Sequence, residues 1–252
     1  MFWVIAIAPL GLFLAMLVCM EAGRRIGARR QEDENRSGLG AVNSTVFALF
    51  GLLLAFSFSG AAERFQDRRA LILQEANDLG TAWLRLAVLP PERQQPLRDL
   101  MRRYLDARLD AYARLPDLEA AMAGLAEANR LQAELWQGAV GACQATGGHA
   151  PMLLLPALNA AFDTATARFA ATRAHPPLGI YALLYGLGLG SAFLVGWGMA
   201  RAPTPAHLHR LIFASVVTLT VYVTLDLELP RGGLIRVSGT DELLIGVRES
   251  MR

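Results

Sequence analysis

The chain contains no lysine: all 24 of its Lys+Arg residues are arginine, against 22 Asp+Glu, for a formal net charge of +2. That absence reflects GC-rich codon usage more simply than a surface selected for phosphate. The arginines alternate with Asp and Glu along the sequence, so no basic stripe for nucleic acid forms. Cysteine is nearly missing as well. Cys19 lies in an apolar stretch and Cys143 in a polar one, which leaves no disulfide framework. No G-x-S-x-G, phosphate-binding loop or H-E-x-x-H is present, so an enzyme has no residues to stand on. Of the histidines, His149 and His175 are isolated, and His207 and His209 form an H-x-H without the third and fourth ligands a metal site needs. Strand signals are scarce throughout.

What the sequence has in excess is apolar residues, 54% of 252, concentrated in four uncharged blocks: 2–20, 46–62, 178–200 and 211–225. A helix needs about 20 mainly apolar residues to cross roughly 30 Å of hydrocarbon. The first and third blocks meet that length, and flanking residues extend the second and fourth. The expected fold is all-α, with four transmembrane helices and a helical extramembrane domain inserted between the second and third. Transmembrane helices 1 and 2 fall at about 2–20 and 42–62, the helical bundle at 63–177, transmembrane helices 3 and 4 at about 178–200 and 209–228, and a tail at 230–252. The first block lacks a basic start and a small-x-small cleavage site, so it reads as a retained span, not a signal peptide.

With four crossings, the loops 21–40 and 201–210 share one side and the polar region shares the other with both termini. Arginines near the spans are equally numerous on the two sides, so the basic-residue rule leaves orientation open; the five that follow the first span favour a cytoplasmic first loop.

Within 63–177, apolar residues at helical spacing (Phe65, Ile72, Ala76, Leu79, Trp83, Leu86) predict a helix to about 88, ended by Pro90 and Pro91. Three more are expected at about 92–115, 117–145 and 152–173, packed as a bundle. No proline or polar loop separates Ala62 from Glu63, so the second span should run on into the polar region as one helix. On it Phe50, Leu54 and Phe58 recur at i, i+4 and i+8, a stripe that packs on neighbours or, around an axis, gates by dewetting. Beyond it Arg64, Arg68 and Arg69 belong to a run with Asp67, Glu75 and Asp78 that allows helical ion pairs or a vestibule attracting anions. In the third span Ala182, Gly186, Gly190 and Gly198 form a small-residue stripe expected to permit a close helix contact, within or between subunits. The run "GLGLG" there has no strand before it and is no dinucleotide loop. Asp226 and Glu228, where the last span ends, can cap a turn, pair with arginine or hold a cation; pairing is the favoured expectation.

The segments "GLLLAFSFSGAAERFQDRRALILQEANDLGTAWLRL" and "TLTVYVTLDLELPRGGLIRV" resemble the bacterial bestrophin-like integral membrane proteins, long catalogued as a domain of unknown function. The resemblance covers nearly the whole chain, in the same order of spans and helical domain. It implies a homo-oligomer, a pentamer in bestrophins, that conducts inorganic anions across a cell inner membrane, with the second span lining the pore. It also implies an apolar neck at Phe50, Leu54 and Phe58, and a cytosolic helical domain, which conflicts with the five arginines after the first span. Bestrophins can bind calcium through acidic residues after the last span; Asp226 and Glu228 are the candidates, without the consecutive acids of that family. No cofactor is implied. A membrane-anchored helical sensor or scaffold without permeation is the alternative. A transporter lacks the broken helices and deep charges it would need.

Overall fold

The computed structural model describes residues 2–29, 36–114, 117–200, 207–229 and 233–251. Every regular element among them is helical, and none is a strand. The helices are α1 (Phe2–Arg29), α2 (Arg36–Arg85), α3 (Pro91–Ala113), α4 (Leu118–Thr146), α5 (Ala150–Arg173), α6 (Leu178–Gly198), α7 (His207–Glu228) and α8 (Ser238–Ser250). A short 3-10 turn, Leu86–Val88, separates α2 from α3. Arg30, Arg201, Arg231 and the prolines 116 and 230 lie outside the described residues.

Four helices contain stretches long and apolar enough to cross a membrane, in α1, in the first part of α2, in α6 and in α7. The chain divides into two compact units, 1–65 with 175–235, and 66–174 with 236–252.

In the first unit, α1 packs against both α6 and α7. Met16 and Met20 are fully buried, with Leu12 beside them, against Leu184 and Ala192 of α6 and Ala214, Val217 and Val221 of α7. The C-terminal part of α1 lies along the C-terminal part of α6, because Gly23 meets Phe193 and Gly27 meets Trp197 and Ala200. Glu21 reaches Arg210, at the start of α7, at 3.3 Å. At the opposite end of α7, Glu228 pairs with Arg64 of α2 and lies 3.5 Å from the imidazole of His175. Thus α1 and α6 run one way and α2 and α7 the other, as four successive crossings require.

The second unit is built from the later part of α2, α3, α4, α5 and α8. Its core includes Leu79, Met101, Tyr104, Leu105, Leu135, Leu154 and Leu158, all fully buried. The rings of Phe162 and Tyr104 pack edge to face with their centroids 5.6 Å apart, an arrangement favourable for aromatic rings. The residues expected to form only a tail contain α8. Arg248 of α8 binds Asp106 of α3, and Arg102 of α3 donates to the carbonyl of Met251 at 2.7 Å. Arg248 in the last turn of α8 suits the helix dipole, a signal visible in the sequence.

Candidate functional site

The long helix α2 is the element on which the family resemblance places the pore. It is unbroken over 50 residues, with no proline inside. Its apolar stretch is the least covered of the four: 11% of that window is buried in the chain, against 39% for α7. The three residues expected to form a neck are not equivalent. Phe50 is buried, its ring about 3.5 Å from where a Cβ on Gly188 of α6 would sit. Leu54 is half-buried against the same core, and Phe58 is exposed. The reason is geometric: at about 100° per residue, i, i+4 and i+8 drift round the helix, so a stripe that starts in the core ends outside it.

Counted at the same angle, the uncovered surface of α2 has two flanks. One carries Val42, Leu49, Leu52 and Phe56, all large and exposed. The other carries Ser44, Ala48, Gly51 and Ala55, exposed and small, with Ala62 half-buried beyond them. Among the described residues of the apolar stretch, Phe58 is the large exposed side chain on that small flank.

The three vestibule arginines also separate. Arg64 donates from Nε to Glu228 at 2.9 Å, and its Nη2 binds the same oxygen; it does not form the helical pair with Asp67 that the spacing suggested. Arg68 is buried and donates to the carbonyls of Ala171 at 3.1 Å and Ala174 at 2.8 Å, so its charge meets the C-terminal dipole of α5. Only Arg69 is exposed.

Asp226 and Glu228 have different tasks. Asp226, 1% exposed, accepts the backbone N–H of Leu234 at 2.9 Å on one carboxylate oxygen and that of Ile235 at 2.8 Å on the other. It therefore caps the turn that follows α7, and a carboxylate filled by donors is poorly disposed to a cation. A Cβ on Gly233 would fall 2.0 Å from Asp226, which is why glycine stands there. Glu228 is the residue paired with arginine. No cluster of three or more His, Cys, Asp or Glu with metal-site spacing occurs among the described residues, and His207 and His209 are exposed in the first turn of α7.

The small-residue stripe of α6 points elsewhere than expected within the chain. Ala182, Gly186 and Gly190 are exposed, and a Cβ added at Gly186, Gly190 or Gly198 would meet nothing within 4 Å. The close contact uses the opposite stripe. A Cβ on Gly196 would fall 1.9 Å from the carbonyl oxygen of Met20, and one on Gly23 would fall 2.1 Å from that of Phe193. The missed signal was on α1, where Gly23 and Gly27 are four apart and meet the backbone of Phe193 and Trp197.

Sequence reasoning also missed a buried ion-pair cluster in the second unit. Glu75 was expected on a salt-laced helix surface. It is instead fully buried, accepting from Arg108 of α3 at 2.7 Å on one oxygen and from Arg168 of α5 at 2.6 Å on the other. Arg168 stacks on the ring of Tyr112 at 3.9 Å, and Arg108 also donates to the Tyr112 hydroxyl at 2.9 Å. Burial opposes the Arg108 cation, but Tyr112, Glu75 and Tyr104 outweigh it and raise its pKa. Burial pushes the Tyr104 phenol up to about 12, so it stays neutral beside this charge. Such a network locks α2, α3 and α5 in register, since removing one partner of a buried pair costs about 3–5 kcal/mol.

Against this architecture, the sequence model of the Bestrophin-like domain matches residues 10–241. The chain belongs to the bestrophin-like family. With its four apolar helices it is a multi-pass membrane protein of the bestrophin type, a family known for channels and not for enzymes. No curated protein and no solved structure matches it.

Proposed function

We propose that this chain is a subunit of a bestrophin-like ion channel, in which several copies, five by family resemblance, surround an axis and conduct inorganic anions through a bacterial inner membrane. The helix α2 lines the pore. Residues of the second unit form an extramembrane helical bundle inserted between the second and third spans, and the protein catalyses no reaction. The observation that carries this is the division of the uncovered α2 surface. Lipid favours a flank of large apolar side chains, and Val42, Leu49, Leu52 and Phe56 supply one. The small flank leaves room for a water-filled path, and Phe58 on it gives one bulky ring per subunit, the element a dewetting gate needs.

The neck expected at three positions is thereby redistributed. Phe58 forms the constriction, Leu54 supports its edge, and Phe50 holds α2 to α6. Of the vestibule arginines, Arg69 falls on the same stripe as Phe58 and Ala62 by helical count, and its exposed guanidinium raises the local anion concentration. The outer stripe Ala182, Gly186 and Gly190 faces a neighbouring copy.

Planar-bilayer recording from the purified chain tests the proposal. A chloride gradient should set a reversal potential near the chloride equilibrium potential. Well-folded protein that passes no current at any voltage would move the assignment to a membrane-anchored sensor or scaffold.

A further inference from the structure

The second unit contains a cavity of about 420 Å³ between α3, α4 and α5. Its walls include Leu125 and Phe169, the amides of Asn129 and Gln132, and two arginines, Arg108 and Arg173. That volume lies towards the lower end of the roughly 300–1,000 Å³ typical of small-molecule sites, and apolar walls with a few convergent polar groups are their usual chemistry. A second hollow of about 310 Å³ shares Asn129 and Gln132 and adds Asp163.

The charges give the cavity a polarity. Arg108 is buried and makes its three hydrogen bonds from one nitrogen, Nη2, while its Nε has no partner. Among the described residues of this unit, the buried charged side chains are Arg68, Arg108 and Arg168 against one carboxylate, Glu75. The exposed Arg173 stacks on Phe169 at 4.5 Å. Asp163 in the adjoining hollow repels an anion from the other end. The arginine end therefore attracts a carboxylate, which matches the planar guanidinium fork, and Leu125 and Phe169 accept an apolar body.

We propose that this cavity binds a small amphiphilic carboxylate, an acid with an aromatic or branched apolar body, its charge held at Arg173 and Arg108. The site lies wholly within the helical unit and is independent of the pore assignment.

Calorimetric titration of the full chain in lipid nanodiscs with phenylacetate tests it, with 2-phenylethanol as the uncharged match and inorganic phosphate as the match without an apolar body. Phenylacetate should bind saturably and at least tenfold more tightly than either. Arg173→Gln, a change at an exposed position, should weaken it roughly tenfold, the effect of losing one charge-assisted contact. Ala126→Trp, which fills the cavity from an exposed position of α4, should abolish binding while circular dichroism stays unchanged. Three results would each overturn the assignment: no saturable phenylacetate binding, equal binding of the alcohol or of phosphate, or wild-type affinity in both variants.

Discussion

Helix α1 and the apolar first part of α2 belong to the same unit, yet the chain treats them in opposite ways. It packs one face of α1 closely, letting backbone touch backbone at Gly23 and Gly196, and it leaves the apolar part of α2 nearly bare, held by the ring of Phe50 and the ion pair of Arg64 with Glu228. In hydrocarbon, hydrophobicity does not drive helices together, so close packing and polar contacts decide which helices a subunit encloses. A helix enclosed by its own chain is a structural one. One left uncovered over its apolar length is available to lipid, to a pore and to other copies.

That contrast predicts a graded set of mutational effects. The largest is expected at Gly196→Leu, whose side chain must enter the carbonyl of Met20; α1 and α6 should separate, at a cost above about 3 kcal/mol, seen as loss of a cooperative thermal transition in detergent. Next comes Phe50→Ala, which opens a hole beside Gly188 and should cost roughly 3 kcal/mol, whereas Phe58→Ala should change stability by less than about 0.5 kcal/mol. Equal destabilisation by the two would erase the distinction drawn between them. Gly233→Ala should cost about 1–2 kcal/mol by disturbing the Asp226 cap, and hydrogen exchange at Leu234 and Ile235 should accelerate. The smallest effect belongs to Gly186→Ala, which meets nothing within the chain: the unfolding transition should not move, and any change should fall on the mass of the assembly by light scattering.

The same contrast explains what could be read from the sequence. The apolar spans were legible because length and absence of charge are local properties, and the unbroken α2 was legible because no proline or polar loop interrupts it. Phe50, Leu54 and Phe58 looked alike because a four-residue spacing records a shared stripe but not how far it drifts round the helix. In α6, Ala182/Gly186/Gly190 and Gly188/Ala192/Gly196 are equally regular, and the sequence of α6 does not say which meets α1. The clue was the Gly23 and Gly27 pair on the partner helix. The Glu75 cluster depends on Arg108 and Arg168, 33 and 93 residues away, so local helical spacing pointed to a solvated face instead. Asp226 was visible as a candidate, but its role depended on which backbone amides the following turn would present.

The most direct test of the central claim, that the small flank of α2 faces the ion path and the large flank faces lipid, is unitary current from Phe58→Ala beside Phe56→Ala in planar bilayers. The two residues are two positions apart and differ in flank. Trimming Phe58 should raise the conductance or open probability several-fold, and trimming Phe56 should leave both at the wild-type level. Current altered by Phe56→Ala and unaffected by Phe58→Ala would contradict the assignment of the pore face.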